Sequence, residues 1–321
     1  MGMRNMHGAL KQAYNAGLLD WIVGMGGKLI YLDPANGGDS SAEVGNKERP
    51  FSTLASAYDA ARAGKNDTIV LVGDGTTTAT ARVNSAFTWA KNATHIIGLA
   101  PPAIVSQRAR IAPTGSTTAF ANFFTISAAG CLFQNVQLFH GFDTDTSNQI
   151  AVTISGGRNT FRNVHIAGGT KGDDTGARSL LITGSTGENL FEDCTLGLDT
   201  VDRSVAAATL EFASGSPRNV FRRCLFPFRA TNAAVLAIKV AAAAGMDRFQ
   251  LFERCLFVNH NTTMTALATL AASTGGFLVF DNCTLVKITG FGSDATTRGQ
   301  VWVSGAGGTA ATTGLAVAPT A

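Results

Sequence analysis

A six-residue unit that begins with phenylalanine recurs six times along this chain of 321 residues. Its pattern is Phe, a polar residue, Asn, Asp or Arg, then Val or Cys, any residue, and an apolar residue. The copies begin at Phe133, Phe161, Phe191, Phe221, Phe252 and Phe280, which are 28, 30, 30, 31 and 28 residues apart. A fixed period of this size indicates stacked repeats, each of which buries its apolar face against the next.

Each unit contains two short strands joined by a bend. A strand places residues i and i+2 on one face, so Phe161 and Val164 share a face only if an intervening residue resets the alternation. The third position, where we expect this bend, is occupied by Asn135, Asn163, Asp193, Arg223, Arg254 and Asn282. Asn and Asp tolerate the left-handed backbone that such a bend needs, whereas arginine has no such preference.

A second apolar strand precedes each unit, for example at residues 152–154 and 180–182. No helical pattern of about ten residues lies between the strands, which excludes βαβ units. The repeat therefore predicts an all-β fold, a parallel β-helix of roughly seven or eight rungs stacked about 4.8 Å apart. We divide the chain into an N-terminal arm (1–28), the β-helix (29–290) and a C-terminal tail (291–321).

The five cysteines follow the same period rather than a metal-binding pattern. None of them forms a C-x-x-C pair, which argues against zinc. The fourth position of the unit holds Val136, Val164, Cys194, Cys224, Cys255 and Cys283. Because a reduced cysteine behaves as a small buried hydrophobe, we predict an inert ladder inside the solenoid and no metal.

The segment before the repeats carries family-like features. Asp33, Gly37 and Asp39 are followed by Pro50, Phe51 and Thr53, and then by residues 67–69 with the sequence Asp-Thr-Ile. With the repeats, this order resembles the right-handed parallel β-helix proteins of the pectate-lyase-like superfamily, of the kind found in bacteriophage virions as capsid decoration or spike proteins. The resemblance covers residues 29–290, departs at 65–66, where most relatives have glycine before the aspartate, and implies a right-handed coil.

A short helix is predicted between these motifs. Leu54, Ala57, Tyr58 and Ala61 lie on one helical face within residues 53–63. Ser52 can cap its start and Gly64 can end it. We expect this helix to cover the first open end of the solenoid.

Composition excludes several functions. Lys and Arg exceed Asp and Glu by only 25 − 22 = 3, which argues against nucleic-acid binding. No apolar run reaches the roughly 18 residues of a membrane span, and no phosphate-binding glycine loop indicates a nucleotide cofactor. The N-terminus has no continuous apolar core or cleavage site of a signal peptide, so we expect synthesis in a bacterial cytoplasm without export.

Candidate catalytic groups are sparse. Asp173 and Asp174 resemble the paired aspartates of the polygalacturonase-like branch, but its other motifs are absent, and a solvated turn is the interpretation we favour. A lyase-like set would combine loop acids with loop arginines: Asp143, Asp145, Asp199, Asp202, Arg178, Arg203 and Arg229. His165 occupies the fifth position of its unit, which we predict to face solvent.

These features favour a structural, non-enzymatic bacteriophage virion protein, a capsid decoration or head spike without cofactor. We expect a homotrimer that contacts the major capsid protein or neighbouring head or tail subunits. The predicted anchoring residues are Leu10, Tyr14, Leu18 and Trp21 in the arm, at helical spacing, with Val301 and Trp302 in the tail. The alternative is a tailspike-like polysaccharide depolymerase, a glycosidase or lyase that acts on a host surface glycan.

Overall fold

The computed structural model describes residues 27–114, 121–141, 149–271, 275–292 and 300–304. These residues form a parallel β-solenoid of about seven turns, as expected for a right-handed parallel β-helix. Nearly every turn contributes one strand to each of three parallel sheets, here called A, B and C. The predicted fold class is confirmed.

The strands are numbered in chain order. Sheet A contains β1 (Leu29–Leu32), β2 (Asp67–Val72), β5 (Thr94–Leu99), β8 (Leu132–Gln134), β11 (Thr160–Arg162), β14 (Leu190–Glu192), β18 (Ser216–Arg222), β21 (Met246–Glu253), β24 (Gly275–Asp281) and β26 (Val301–Ser304). Sheet B contains β3 (Ala81–Val83), β6 (Arg110–Pro113), β9 (Gln137–Phe139), β12 (His165–Ala167), β15 (Thr195–Leu196), β19 (Leu225–Ala230), β22 (Leu256–Asn259) and β25 (Thr284–Val286), and β16 (Asp202–Arg203) pairs with β19. Sheet C contains β4 (Phe87–Trp89), β7 (Asn122–Ile126), β10 (Ile150–Ile154), β13 (Arg178–Ile182), β17 (Ala208–Phe212), β20 (Leu236–Val240) and β23 (Ala268–Leu270).

The bend between sheets A and B is the predicted left-handed residue in all six units. Its φ lies between +47° and +55°, including at Arg223 and Arg254, which have no intrinsic preference for this region. The residue after the bend is thereby turned inward, so Phe161 and Val164 are both buried. Tertiary packing of the two flanking strands therefore imposes the bend even where the residue type does not favour it.

Aromatic rings and thiols fill the interior. The predicted phenylalanine ladder is stacked from Phe133 to Phe280, with neighbouring centroids 4.5–5.0 Å apart. The cysteines are unbonded to one another and all but Cys283 are fully buried. Each thiol of the ladder donates to a main-chain carbonyl of the preceding turn, as Cys194 Sγ does to Phe161 O at 3.3 Å. These free thiols thus lie one above another on successive turns, as the repeat predicts.

A short helix, α1 (Leu54–Ala60), covers the first end of the core, where Leu54 and Ala57 are fully buried. Its cap is Thr53 rather than the expected Ser52, because the Thr53 side chain accepts from the Ser56 N–H. The helix ends at Ala61, three residues before Gly64. The opposite end carries β26, which lies within the predicted tail and pairs with β24.

Two aspartates of the opening segment, Asp39 and Asp67, have structural roles. Asp39 Oδ1 accepts from the N–H groups of Ser52 and Thr53 at 2.8 and 3.0 Å, which fixes the approach to α1. Asp67 is buried and accepts from Arg62 Nη2 and from the Lys28 N–H, both at 2.7 Å. These aspartates therefore hold the first rungs in place.

Candidate functional site

The loops that connect sheet B to sheet C carry the ionisable side chains closest to a catalytic arrangement. The loop after β12 (168–177) stacks on the loop after β15 (197–207), and the Ser204 N–H donates to Gly172 O at 2.9 Å. The two backbones are so close that a Cβ at Gly172 would lie 1.7 Å from Asp202 O. Glycine is therefore required at this position, and the stacking fixes the two loops relative to each other.

An ion pair lies where these loops meet sheet C. Arg178 Nη1 is 2.6 Å from Glu211 Oε2, and both side chains are largely buried. Arg178 Nε also donates to Gly176 O at 2.8 Å, which fixes the guanidinium plane. A charge-assisted hydrogen bond between two largely buried side chains is stronger than one that is exposed to solvent.

Arg203 is buried beside this pair. Its Nη2 donates to Ala177 O at 2.7 Å, but its Nε is buried without a hydrogen-bond partner among the described residues. No described carboxylate lies within ion-pair distance of it. Burial and, to a smaller extent, the positive charge of Arg178 lower the pKa of Arg203 to about 10, and the negative charge of Asp174 partly opposes them. A buried cation with an unsatisfied hydrogen-bond donor lowers the stability of the fold unless an anion accepts a hydrogen bond from that donor.

The two predicted aspartates differ in their surroundings. Asp174 is half-buried, and its Oδ1 accepts from the Gly176 N–H at 2.8 Å within the loop that contacts Arg203. Asp173 is exposed. Asp174, Arg178, Arg203 and Glu211 are therefore grouped here as the Arg203 site, and Asp173 lies outside it.

A polar row continues from the Arg203 site along the outer face of sheet C. In register on successive strands lie Thr153, Leu181, Glu211, Lys239 and Thr269, and the apolar Leu181 interrupts the row between Thr153 and Glu211. Thr153 Oγ1 is buried without a partner among the described residues. This row gives an elongated polar ligand several contacts spaced about 4.8 Å apart.

The other loop acids of the lyase-like prediction do not join this cluster. Asp202 pairs with Arg229 at 2.7 Å on the exposed side, and Asp199 lies 3.4 Å from His260 Nε2. Asp143 and Asp145 lie outside the described residues, as do the predicted anchoring residues Leu10, Tyr14, Leu18 and Trp21. In the part of the chain that the structure describes, no group of three or more His, Cys, Asp or Glu side chains is placed to hold a metal ion.

The prediction that His165 faces solvent is wrong. Its ring is 1% exposed, because residues 100–109 fold over sheet B and cover it. Nδ1 accepts from the Ser106 N–H at 3.1 Å and from Gln137 Nε2 at 3.0 Å, while Nε2 donates to Gly197 O at 3.0 Å. Burial lowers the pKa of His165 to about 4, so the ring is neutral at pH 7.

A groove of about 680 Å³ lies between this covering segment and the bends. Its walls are mostly apolar and include Pro102, Ile104 and Leu256. Its acidic group, Asp193, is bound by Arg223 Nε at 2.7 Å. Its lining also includes the charged side chains of Arg162 and Arg254.

Sequence analysis singled out Asp174, Arg178 and Arg203 but missed Glu211. That residue stands in the middle of an apolar strand, Leu210–Glu–Phe212, with the outward orientation that alternation assigns to it. A lone glutamate on the outer face of a strand, one rung from Arg178, was the signal that pointed to the ion pair.

Comparison with known proteins confirms the fold. Neither a family model nor a curated protein matches the chain. Among solved structures, a variant pectin methylesterase in complex with a hexasaccharide superposes with a TM-score of 0.53 at 16% identity, over 82% of this chain and 80% of that one. Pectin methylesterase PemA from Erwinia chrysanthemi gives 0.52 at 18%, over 83% and 80%. The enzyme from Aspergillus niger gives 0.50 at 11%, over 89% and 91%.

These similarities define a class by its fold: the chain is a right-handed parallel β-helix protein. At such low identity they show the fold alone. No helix in the described part of the chain is long and apolar enough to cross a membrane.

Proposed function

We propose that this protein is a polysaccharide-processing enzyme that acts on an acidic glycan at the Arg203 site. The observation that carries the proposal is the buried guanidinium of Arg203, whose Nε has no partner among the described residues. A sugar carboxylate is an anion of the right chemistry, since it accepts charge-assisted hydrogen bonds from guanidinium groups. The polar row on sheet C extends the site for a chain of sugars.

Each member of the site has a separate role. In this proposal Arg203 binds the sugar carboxylate once the two loops that bury it move apart, and Glu211 holds the guanidinium of Arg178 at 2.6 Å beside it. We assign to Asp174, half-buried next to Arg203, the exchange of a proton with the reacting bond. Four structural neighbours with a TM-score of 0.50 or more are pectin methylesterases, two of them in complex with a hexasaccharide, which supports a glycan ligand.

The comparisons favour this alternative over the structural virion protein that the sequence features favoured. The bacteriophage origin, the homotrimer, the capsid contacts and the virion location stay predictions. A host surface glycan stays the proposed source of the substrate.

The test is an activity assay on matched panels of acidic and neutral polysaccharides, with release of reducing ends, unsaturated sugars and methanol measured in parallel. We expect one of these products from acidic polysaccharides alone. Asp174→Asn should lower the rate by about 100-fold or more, as expected for loss of a general acid or base. Asp173→Asn is the matched control and should leave the rate within about twofold. No product from any acidic polysaccharide, or equal losses in the two variants, would overturn the proposal.

A further inference from the structure

The groove between the covering segment and the bends has the form of a small-molecule site. Its volume of about 680 Å³ lies within the range of ligand pockets, which are concave and mostly apolar with a few polar groups. It runs along the solenoid axis from Gln134 to Arg254, on turns that are separated by four strand spacings, or about 19 Å. We call this space between Gln134 and Arg254 the bend groove. It lies at the corner between sheets A and B, whereas the Arg203 site lies between sheets B and C.

The walls of the bend groove present apolar side chains to solvent. Ile104 is 63% exposed and Leu256 is 38% exposed. Hydrogen bonds hold the wall that carries Ile104 in place, since Thr195 Oγ1 donates to Ile104 O and Asn135 Nδ2 donates to Ala100 O at 2.9 Å. The apolar wall is therefore formed before a ligand arrives, and a ligand that covers it gains the free energy of apolar burial.

Two of the three arginines that line the bend groove are neutralised within the chain. Arg162 Nη2 is 2.9 Å from Glu192 Oε2. Arg223 Nε is 2.7 Å from Asp193 Oδ1. A ligand that displaced either arginine from its carboxylate would leave that carboxylate without its partner. These two arginines are therefore poor anion sites.

Arg254 is the third arginine, and its charge is only weakly paired. Its nearest carboxylate oxygen, Glu253 Oε1, is 4.0 Å away, and Glu253 Oε2 already pairs with Arg222 Nε at 2.7 Å. Asp281, on the next turn, accepts a hydrogen bond from Ser304 Oγ at 2.5 Å. The guanidinium of Arg254 therefore has donors available for one anionic group at this end of the groove.

The opposite end of the bend groove holds a buried amide. Gln134 is 7% exposed, and its Oε1 has no hydrogen-bond partner among the described residues. A buried amide atom without a partner lowers the stability of the fold, so a ligand group that bonds to it is favoured. Rotation of the amide by half a turn brings either its acceptor or its donor toward the groove. A hydroxyl group suits both orientations, because it donates and accepts.

We propose that the bend groove binds an elongated apolar carboxylate that carries a hydroxyl group at its far end. The carboxylate pairs with Arg254, the apolar body covers Ile104 and Leu256, and the hydroxyl bonds to the amide of Gln134. A polysaccharide fits this groove less well, because its many hydroxyl groups would lie against apolar walls without partners. The inference is independent of the function proposed for the Arg203 site.

The test is isothermal titration calorimetry of the full chain with ω-hydroxydodecanoate, at concentrations below those that form micelles. Dodecanoate, which lacks the hydroxyl, should bind more weakly to wild type. Dodecyltrimethylammonium, which has the same tail and the opposite charge, should bind at least about tenfold more weakly than dodecanoate.

Two arginine variants locate the anion. Arg254→Asn should weaken binding of ω-hydroxydodecanoate at least about tenfold, because it removes the charge while asparagine suits the left-handed bend. Arg248→Asn is the matched control and should bind like wild type. Arg248 is also left-handed, with a φ of +60°, and its side chain is 64% exposed, but it lies outside the groove.

Two further variants test the rest of the groove, with circular dichroism as the check on folding. Gln134→Leu should bind both carboxylates equally, because it removes the partner of the hydroxyl. Ile104→Ser, at an exposed position, should weaken both carboxylates, because it removes part of the apolar wall.

Three results would overturn the proposal. The first is a folded wild type that binds neither carboxylate. The second is equal binding by the Arg254→Asn and Arg248→Asn variants, since the carboxylate would then lie on another surface. The third is equal affinity of wild type for the two carboxylates, which would remove the role of Gln134.

Discussion

The rings of Phe161 and Phe191 are parallel to within 5°, and their centroids are 4.5 Å apart. Their residues are register partners on adjacent strands, so the ring spacing equals the strand spacing to within a few tenths of an ångström. The same contact repeats along the core wherever the 28- to 31-residue period places phenylalanine on the next turn. Each ring in the middle of this ladder supports one neighbour above and one below.

Loss of one such ring should destabilise the solenoid strongly. Phe191 is fully buried and stacked on both faces, so Phe191→Ala should lower the free energy of unfolding by about 3–5 kcal/mol. Phe249→Ala, at a phenylalanine that is 37% exposed, should cost clearly less. Denaturant titration at low protein concentration measures both values, and equal losses would contradict a continuous core ladder.

The left-handed bend at Arg254 should carry backbone strain. Its φ is +53°, and its nearest carboxylate oxygen, Glu253 Oε1, is 4.0 Å away on a mostly exposed side chain, so little compensates the strain. Arg254→Asn should therefore raise the free energy of unfolding by about 0.5–1 kcal/mol, because asparagine enters this region more easily. Asn163→Ala, at a bend already occupied by asparagine, should lower it. Thermal melts of the two variants should move in opposite directions; a destabilised Arg254→Asn variant would contradict the argument.

Acid should weaken the fold through His165. Its pKa is about 4 when folded and about 6.5 when unfolded, so the unfolded chain binds the proton first as the pH falls. The neutral His165 ring contributes its full share to the free energy of unfolding above pH 6.5. This contribution, about 3 kcal/mol in total, is lost as the pH falls from about 6.5 to 4. The charges that act on the ring are Arg110, which opposes protonation, and Asp199, which favours it.

The measurement is the free energy of unfolding at pH 7 and pH 4 for wild type and His165→Gln. The variant should be less stable at pH 7 but should lose clearly less stability on acidification. An identical pH dependence of the two proteins would show that His165 does not titrate in this window.

Asp67 should affect stability at a lower pH than His165 does. Burial alone would raise its pKa, but hydrogen bonds from the Arg62 side chain and from the N–H groups of Lys28 and Arg62 outweigh burial and lower it to about 2. The ionised Asp67 carboxylate therefore adds to the free energy of unfolding above about pH 4, and this contribution is lost as the pH falls toward 2. Asp67→Asn should remove about 3 kcal/mol at pH 7, because it leaves Arg62 without its partner. A loss below about 1 kcal/mol would show that the opening segment is held by other contacts.

The period of the phenylalanines was sufficient to predict the solenoid, its core ladders and the position of the bends. Those features depend on contacts between residues that are equivalent in successive turns, and such contacts leave a repeat in the sequence. The bend at Arg223 shows the limit of residue preference, since packing imposes the same backbone there as at Asn163.

Features that depend on a segment that departs from the repeat could not be predicted from the sequence. The burial of His165 results from residues 100–109, a segment that replaces the two-residue bend found between sheets A and B in the six repeat units. The Arg203 site likewise depends on how two loops of different sequence stack, which brings Arg203 and Asp174 together across about 30 positions. Periodicity placed these residues in neighbouring loops, but only the structure separates Asp174 from Asp173.

The most direct test of the account is a pair of measurements on Arg203→Met. The guanidinium is buried and its Nε has no partner among the described residues, so the substitution removes few stabilising contacts. The free energy of unfolding should therefore stay within about 1 kcal/mol of wild type or rise. Binding of acidic oligosaccharides, followed by calorimetry against neutral ones of the same length, should fall at least about tenfold. Loss of stability with unchanged acidic-glycan binding would contradict the account and would make Arg203 a structural residue of the loops.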